Sequence, residues 1–403
     1  MKHIYIFNST ARGTNYGIGT YIGQLINVLK NTEYKITIVC ITYRDIDFDI
    51  STQGFVRYIT IPAPVINVNC LNNDVFEKSI PFILYPYIIK GEINIFHLNY
   101  LGSEFLSNYL KLFYKGTIVS TVHYTDWSLS LMGDRNKLNR ILKRVQKSDN
   151  TSNNIIRTLE KEREFLNACD KIISISQHSN RDLVKYHKVD ENKLFLINNA
   201  LSIPNIYNAE KKLSIREKYF INSNEIVLFF VGRLDTIKGV EILINSFKYI
   251  IKKYSNALLI VAGEGSFEKY IVESLPIWSK IIFTGFLSKN NLQELYNIAD
   301  IGIIPSLHEE FGFVAIEMMS YKIPIIVNDT YGLSEIVDDG INGIKVSINS
   351  RKKSSEDLVD KISYLIDNPE IRKKIGINAR KKVKSKYSIN NFRKKLLALY
   401  DSL

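Results

Sequence analysis

Two glutamates in the second half of the chain are the residues best placed to do chemistry. Glu309 and Glu317 lie eight positions apart, just after the short apolar run Ile301–Ile304, which predicts a buried strand. Carboxylate oxygens accept hydrogen bonds from vicinal hydroxyls, and the backbone N–H groups of Phe311 and Gly312, at the start of a predicted helix, suit a phosphate or an oxyanion. This pattern favours a sugar or nucleotide site over a plain exposed acidic loop.

The spacing of these acids also resembles a known family motif. Residues 305–317 follow the pattern Pro-Ser-x-x-Glu-x-Phe-Gly-x-x-x-x-Glu, which is similar to the E-x7-E signature of retaining GT-B glycosyltransferases of the glycogen-synthase-like group, known as glycosyltransferase family 4. Five further segments resemble motifs of that family and occur in the same order: Val231–Gly239, Gly263–Gly265, Phe283–Gly285, Tyr296–Asp300 and Gly332–Gly343.

The resemblance implies a fold and a donor site. The expected fold class is α/β with the GT-B fold, in which two Rossmann-like, doubly wound parallel-sheet domains face a central cleft. In the family, cations at the positions of Arg233 and Lys238 grip the diphosphate of a nucleotide sugar. Two fixed cations and a helix N-terminus can neutralise a departing nucleoside diphosphate without a metal, so we expect no metal and no other cofactor.

Roles for the acids and for the helix start follow from the same resemblance. Glu317 matches the acid that holds the ribose hydroxyls, and Glu309 matches the catalytic acid near the transferred sugar. The amides of Phe311 and Gly312 are assigned to the donor diphosphate.

Two positions in the second half of the chain depart from the family pattern. Lys322 stands where the family usually has glycine, so the end of the preceding helix is expected to differ. Glu310 replaces a usual glycine or proline, which adds negative charge beside the phosphate region.

The first half of the chain carries the acceptor-side candidates. Gly17 and Gly19 open a helix and resemble the family's glycine-bearing first loop, where the backbone approaches donor phosphate or acceptor. The resemblance assigns both glycines to the donor diphosphate. Ile22 occupies the place of the third glycine of a dinucleotide-binding fingerprint, which disfavours a Rossmann dehydrogenase. His123, at the end of a predicted strand, resembles the family histidine near the donor sugar, and His97 is a weaker candidate.

Short β-branched runs alternate with amphipathic helical stretches, which is typical of βαβ units and a mostly parallel sheet. The predicted strands are Ile4–Phe7, Ile36–Ile41, Val56–Ile61, Ile93–His97, Ile118–Val122, Ile172–Ile175, Leu194–Ile197, Ile226–Val231, Leu258–Ala262, Ile281–Thr284, Ile301–Ile304 and Ile325–Val327. The predicted domains are an acceptor-side domain at 1–201, a linker at 202–224, a nucleotide-sugar donor domain at 225–385, and a C-terminal helix at 386–403 that packs back on the first domain.

Composition and charge describe a globular protein with a strongly basic segment. Of the 403 residues 45% are hydrophobic and 23% are charged, which excludes a disordered chain. The net charge is +12, but residues 371–395 alone hold eleven basic residues and no acidic one. Apolar residues recur there at helical spacing, so a solvated helical face is the favoured interpretation and contact with anionic lipid is the alternative. No nucleic-acid partner is expected.

Location is predicted from what the sequence lacks. A membrane span needs roughly 20 apolar residues, and the best candidate, Ile80–Ile89, is half that length and contains two prolines. Without a secretory pattern at the N-terminus, we expect a cytoplasmic protein, with peripheral contact at the inner face of the membrane as an option. Cys40, Cys70 and Cys169 are odd in number and far apart, which favours free thiols over disulfides or zinc ligands.

Other interpretations compete with the transferase. Asp45, Asp47 and Asp49 form two overlapping D-x-D patterns, which hold a metal in GT-A glycosyltransferases but are common by chance. A nucleotide-sugar epimerase on the same fold is a second alternative. A catalytically silent protein that binds sugar nucleotides or a membrane surface is a third. The intact set of two cations and two acids favours an enzyme.

The function expected from the sequence is therefore a retaining, metal-independent hexosyltransferase. It would move a hexosyl group from a UDP- or GDP-linked sugar to a hydroxyl acceptor, in the assembly of cell-surface polysaccharide, glycolipid or another glycoconjugate. The sequence does not choose between UDP and GDP. The acceptor stays open among a lipid-linked sugar, a glycan, a metabolite and a peptide.

Overall fold

The β-branched runs of the sequence form two sheets, each in its own unit of the chain. The computed structural model describes residues 1–9, 17–42, 47–64, 73–89, 91–143, 150–348 and 355–403. One unit comprises residues 1–199 and 392–403, and the other comprises residues 200–391. The segment 202–224, expected to be a linker, lies in the second unit and contains a helix, Ala209–Lys218.

The first unit is built on an eight-stranded sheet. Its strands are β1 (Lys2–Ser9), β2 (Lys35–Thr42), β3 (Asp49–Gln53), β4 (Val56–Pro62), β5 (Ile93–Leu98), β6 (Thr117–Val122), β7 (Lys171–Ser174) and β8 (Leu194–Leu196). The spatial order is β3-β4-β2-β1-β5-β6-β7-β8, and every neighbouring pair is parallel except β3 and β4. The helices are α1 (Gly17–Leu29), α2 (Asn73–Leu84), α3 (Glu104–Tyr114), α4 (Asp126–Ser130), α5 (Arg135–Lys143), α6 (Asn150–Ala168) and α7 (Gln177–His187), with a 3-10 turn at Glu191–Lys193.

Helices α2, α3 and α6 pack on one face of this sheet. Leu106 and Leu110, four residues apart and therefore on one side of α3, are fully buried against Phe7 and Phe96 of the strands. Phe165 of α6 joins the same cluster. The buried row of each helix thus faces the sheet, and the opposite row faces solvent.

The second unit is built on a six-stranded sheet in which all neighbouring strands are parallel. Its strands are β9 (Ile226–Val231), β10 (Ala257–Ala262), β11 (Ile281–Gly285), β12 (Ile301–Ile304), β13 (Ile325–Asn328) and β14 (Ile344–Val346), in the order β11-β10-β9-β12-β13-β14. The helices are α8 (Ala209–Lys218), α9 (Val240–Lys253), α10 (Phe267–Ser274), α11 (Lys289–Ile298), α12 (Phe313–Ser320), α13 (Tyr331–Ile336), α14 (Glu356–Asp367) and α15 (Pro369–Lys386), with a 3-10 helix at Leu275–Lys280. The last helix, α16 (Ile389–Asp401), begins in this unit, and its residues from 392 onward belong to the first unit.

The order of the second sheet reverses between β9 and β12. In doubly wound sheets the connections leave in opposite directions at such a point, and a crevice opens at the carboxyl ends of the two strands. Ligands of this fold class bind in that crevice, so the loops after β9 and β12 are where a site is expected.

The last residues of the chain belong with the first sheet. The Tyr400 hydroxyl hydrogen-bonds to His97 of β5, and Lys2 Nζ donates to the Tyr400 carbonyl at 2.9 Å. Arg393 donates to the Val28 carbonyl at 2.5 Å. These contacts fix the C-terminal part of α16 beside β1, β5 and α1.

The basic segment near the C-terminus forms α15 and most of α16. Ile375, Ala379 and Val383 recur every four residues on α15 and are buried, so the helix packs through this row. Arg380 donates to the Pro204 carbonyl at 2.9 Å. No helix within the described ranges is long and apolar enough to cross a membrane.

Candidate functional site

The four charged residues singled out by the sequence follow the two strands that flank the switch point. Arg233 and Lys238 come after β9, Glu309 comes after β12, and Glu317 lies in α12, which begins just beyond. The loops are also joined directly, because the Leu307 amide donates to the Ile237 carbonyl at 2.7 Å. Parallel strands deliver their carboxyl ends to one edge of the sheet, which is why residues 71 positions apart can meet here.

Lys238 and Glu309 form the central contact of this site. Lys238 Nζ lies 2.5 Å from Glu309 Oε1, and the two side chains are only 21% and 17% exposed. The Ser306 hydroxyl donates to the same carboxylate oxygen at 3.1 Å. This contact holds the Lys238 ammonium at the switch point.

Arg233 is held less tightly than Lys238. Its guanidinium lies 3.0 Å from Asp235 Oδ2 and is half exposed, whereas Asp235 Oδ1 accepts the Lys238 amide at 3.0 Å. One aspartate therefore orders the turn that carries both cations. An exposed guanidinium with a fixed base can swing toward an anion without breaking buried contacts.

Gly239 allows the two loops to approach closely. Its φ is +70°, and an added Cβ would collide with the Pro305 carbonyl oxygen. Only glycine accepts both the left-handed backbone and this contact. The packing of the β9 loop on the β12 loop thus explains why the family-like segment Val231–Gly239 ends in glycine.

Glu317 is fixed by Tyr296, a residue to which the sequence pattern assigned no role. The Tyr296 hydroxyl, from α11, donates to Glu317 Oε2 at 2.8 Å. Burial raises the pKa of Glu317, and the Tyr296 hydrogen bond lowers it in part. Tyr296 itself is buried between Phe229 and Tyr321. The family-like motif Tyr296–Asp300 contains Tyr296, but its spacing did not predict the contact between Tyr296 and Glu317.

The loop before α12 offers backbone donors. The amides of Phe311 and Gly312 donate to no residue in the described part of the chain, and Gly312 precedes the first turn of α12. Phe311 is buried and packs edge-on against Tyr387 at 5.7 Å. This contact keeps the loop backbone in place while its N–H groups stay at the helix start, where an anion is favoured.

The extra acid of this loop is paired. Glu310 Oε1 lies 3.2 Å from Nε2 of His308, a histidine that is 97% shielded from solvent and packs against Tyr331 at 4.6 Å. The expectation of negative charge beside the phosphate region did not include this partner. The Glu310 carboxylate therefore lies against the His308 ring.

The candidates of the first unit form a separate group. Gly17 and Gly19 are the first and third residues of α1, and the loop before them, residues 10–16, lies outside the described residues. His123 follows β6, and its ring packs on Tyr21 of α1 at 4.7 Å. Burial lowers the pKa of His123 to about 3, and its Nε2 has no hydrogen-bond partner among the described residues. A neutral imidazole can donate or accept a hydrogen bond but does not act as an acid near neutral pH.

His97 has a structural role. It is fully buried, and its two ring nitrogens face the hydroxyls of Tyr400 and Thr121, the latter at 2.7 Å. Tyr21 shares the Thr121 hydroxyl at 2.9 Å. This network connects α16, α1 and two strands, so His97 serves the core of the unit.

The D-x-D aspartates and the cysteines lie partly outside the described residues. Asp45 and Cys70 lie outside the described residues, and Asp49 is an exposed residue of β3. In the described part of the chain, no group of three or more His, Cys, Asp or Glu could hold a metal ion. Cys40 and Cys169 are free thiols.

Two α/β units with mainly parallel sheets are typical of the GT-B class of glycosyltransferase folds. Two family profiles match the chain, "Glycosyltransferase Family 4" over residues 16–203 and "Glycosyl transferases group 1" over residues 211–382. The two profiles, together with the fold, support a GT-B glycosyltransferase that is similar to family 4.

Similar proteins extend along different shares of the chain. An uncharacterised glycosyltransferase of Methanocaldococcus jannaschii is 30% identical over 57% of this chain and 59% of its own length. The chain spans about half to three-fifths of the length of the curated relatives it matches. Among solved structures, sucrose-phosphate synthase from Thermosynechococcus elongatus has a TM-score of 0.80 at 19% identity, over 100% of this chain and 99% of its own. Anabaena HepE in complex with UDP and glucose has a TM-score of 0.73 at 16% identity, over 99% of each chain.

Proposed function

We propose that this protein transfers a hexosyl group from a nucleotide diphosphate sugar to a hydroxyl acceptor. The observation that carries the proposal is the Lys238–Glu309 contact at the β9/β12 switch point, with Glu317 on the adjoining helix. A cation for the leaving diphosphate, an acid beside the transferred sugar and an acid for the ribose are the groups that such a reaction needs.

The donor is held by groups of opposite kind at its two ends. Lys238 and Arg233 neutralise the diphosphate, the amides of Phe311 and Gly312 add donors, and Glu317 accepts hydrogen bonds from the ribose. The protein supplies this positive charge itself, so the proposed reaction uses no metal. UDP is the nucleotide to test first, because it is bound in the structurally similar HepE.

The proposed transfer retains the anomeric configuration. The bond from the sugar's anomeric carbon to the leaving phosphate oxygen breaks, and the acceptor oxygen bonds to the same face of that carbon. The acceptor proton passes to the leaving phosphate. Lys238 stabilises the charge that develops on this phosphate, and Glu309 positions Lys238 and faces the sugar.

We propose an acceptor of the glycan or glycolipid class, as in the assembly of cell-surface polysaccharides. The family resemblance assigns His123 a catalytic role near the donor sugar, and it assigns Gly17 and Gly19 to the donor diphosphate. His123 enters as a neutral hydrogen-bonding group, since burial lowers its pKa to about 3.

Calorimetric binding of UDP, GDP and ADP, without metal and with EDTA, tests the donor site. Lys238→Ala should weaken binding of the preferred nucleotide at least about tenfold, because a charge-assisted contact is lost. Lys253→Ala is the matched control, since Lys253 is an exposed lysine of the same unit paired with Asp367. Equal binding by Lys238→Ala and the wild type, or binding abolished by EDTA, would overturn the proposed donor site.

Product analysis separates transfer from the epimerase alternative. A transferase consumes nucleotide sugar in proportion to acceptor, whereas an epimerase converts it with no acceptor present. Glu309→Gln should retain nucleotide binding, because Arg233 and Lys238 still contact the diphosphate. It should lose most of the turnover, because the carboxylate beside the transferred sugar is gone. Turnover of Glu309→Gln at the wild-type rate contradicts the role assigned to Glu309.

A further inference from the structure

A buried carboxylate of the first unit contacts the segment that carries His123. Glu162 of α6 is 5% exposed, and its Oε1 accepts a hydrogen bond from the Asp126 amide at 2.8 Å. Asp126 follows His123 by three residues and is the first residue of α4. Glu162 therefore connects α6 to the backbone just after β6. The proposed transfer gives this glutamate no role of its own.

The second oxygen of this carboxylate is also engaged. His187 Nε2, at the end of α7, lies 2.7 Å from Glu162 Oε2, and the His187 side chain is fully buried. Arg163, the next residue of α6, donates to the Tyr186 carbonyl at 2.9 Å. Two consecutive residues of α6 thus hold two consecutive residues of α7. Because both of its oxygens are engaged, the Glu162 carboxylate has a fixed orientation.

Stability alone does not explain a buried pair of glutamate and histidine. Burial raises the pKa of Glu162, and the His187 hydrogen bond lowers it in part. Well-packed apolar side chains in place of a buried ion pair are often neutral or stabilising. Apolar side chains cannot accept a hydrogen bond from the Asp126 amide. This contact with the backbone after β6 is therefore what the carboxylate adds.

His123 depends on its backbone for its position. Its Nε2 has no hydrogen-bond partner among the described residues, and its ring packs edge-on against Tyr21 at 4.7 Å. The next part of the segment is tied to α4, because the Ser128 hydroxyl donates to the Thr125 carbonyl at 2.7 Å. Residues 123–126 therefore lie between a sheet strand and a helix start, and a shift of that helix start would move the His123 ring.

We propose that Glu162 is a positioning residue for His123. It holds the start of α4 at the carboxyl end of β6, and the short segment between them sets where the imidazole lies. The inference rests on the proposed function, in which His123 is a hydrogen-bonding group near the donor sugar. Misplacement of such a group by about 1 Å can lower turnover roughly a hundredfold.

One variant removes the amide and leaves Glu162 in place. Asp126→Pro lacks the N–H, and proline is tolerated at the first position of a helix when the residue before it is extended, as Thr125 is (φ −119°, ψ 152°). Asp126→Ala is the matched control, because it loses the same side chain and keeps the amide. Turnover of Asp126→Pro should be at least about tenfold lower than that of Asp126→Ala. UDP affinity should be the same in both, because Lys238 and Glu317 are intact.

A second pair of variants tests the carboxylate. Glu162→Met keeps a side chain of similar length without the acceptor and should lower turnover at least about tenfold. Glu162→Gln keeps an oxygen for the Asp126 amide, so its turnover should stay within about threefold of the wild type. Glu92→Met is the control for loss of a shielded carboxylate. Glu92 Oε2 lies 3.1 Å from His3 Nδ1 at the amino ends of β1 and β5, so this variant should leave turnover unchanged.

The position of His123 is also measured without any turnover. The NMR signal of its ring, identified by its absence in His123→Ala, should shift in Asp126→Pro and Glu162→Met. The signal should keep its wild-type position in Asp126→Ala and Glu92→Met. A Glu162→Met chain that does not fold leaves Asp126→Pro to decide the question.

Three results would overturn the inference. The first is equal turnover of Asp126→Pro and Asp126→Ala, and the second is an unshifted His123 signal in Asp126→Pro. The third is a loss of turnover on adding Glu162→Met to His123→Ala that is as large as in the wild-type background, because Glu162 would then act without His123. Absence of transfer by the wild type contradicts the proposed function instead, and the NMR comparison still decides whether Glu162 positions His123.

Discussion

The Tyr296 hydroxyl donates a hydrogen bond to Glu317 Oε2 across 2.8 Å, from α11 to α12. The acid proposed to hold the ribose is thereby fixed in orientation by a buried phenol. Burial raises the pKa of Tyr296 well above its ordinary value, so it remains a neutral donor. Tyr296 is thus a positioning residue in the proposed donor site.

Removal of this hydroxyl should weaken nucleotide binding. In Tyr296→Phe the Glu317 carboxylate loses its fixed partner, and we expect about tenfold lower affinity for UDP, the size of one hydrogen bond to a charged group. Tyr321→Phe is the control, because the Tyr321 ring stacks on Tyr296 at 5.2 Å and burial likewise raises its pKa. Calorimetry that finds equal losses in both variants would contradict the positioning role and indicate a packing effect.

Nucleotide affinity should also depend on pH through Glu317. Its pKa is raised by burial, so it protonates at a higher pH than an ordinary glutamate. The carboxylate is present above that pKa, and affinity declines as the pH falls through it. The ratio of wild-type to Glu317→Gln affinity isolates this group from the phosphates, and in calorimetric titrations it should fall as the pH is lowered through the raised pKa of Glu317.

The tyrosine variant changes that profile in a defined direction. Because the Tyr296 hydrogen bond lowers the pKa of Glu317, Tyr296→Phe should shift the decline to higher pH. An unchanged midpoint in Tyr296→Phe would mean that the hydrogen bond does not act on this carboxylate.

The central strands were predictable because burial on both faces leaves near-continuous apolar runs. The sequence missed β3 and β14, which are the outermost strands at one end of each sheet. The run of β3 is Asp-Ile-Ser-Thr-Gln and mostly exposed, and β14 has only three residues. Helix α8 was missed for the same reason. Ile215 is its one buried residue, so the helix has no apolar row from which it could be predicted.

The sequence predicts the candidate site as a set of residues but not as a set of contacts. The spacing of Glu309 and Glu317 identified both acids, because one loop and the helix after it carry them. The partner of each acid comes from another element, Lys238 from the β9 loop and Tyr296 from α11. Such pairs depend on the shapes of loops in three dimensions, which linear spacing does not encode.

The close packing of the β9 and β12 loops predicts that alanine lowers the free energy of unfolding much more at Gly239 than at Gly340. Gly239 and Gly340 both have φ of +70°, but an added Cβ meets the Pro305 carbonyl at Gly239 and nothing within 4 Å at Gly340. Gly340→Ala should cost about 1 kcal/mol of unfolding free energy for the left-handed backbone alone. Gly239→Ala should cost about 2 kcal/mol more, because a loop must shift. Denaturant titration measures both, and equal costs would contradict the proposed loop contact.

The departure from the family pattern at Lys322 predicts that glycine is more stable than alanine at this position. Lys322 has φ of +64°, directly after the end of α12, where glycine is the residue without a steric penalty. Lys322→Gly and Lys322→Ala lose the same charge and differ only in the Cβ, so the glycine variant should be more stable by about 1 kcal/mol.

The control reverses the sign of that difference. Lys381 is an exposed residue inside α15, where φ is negative and glycine disfavours the helix. Lys381→Gly should therefore be less stable than Lys381→Ala by about 1 kcal/mol. Thermal or urea unfolding of the four variants measures both differences. If glycine is the weaker residue at both positions, the left-handed backbone at Lys322 contributes no strain, and the family's preference for glycine there has another cause.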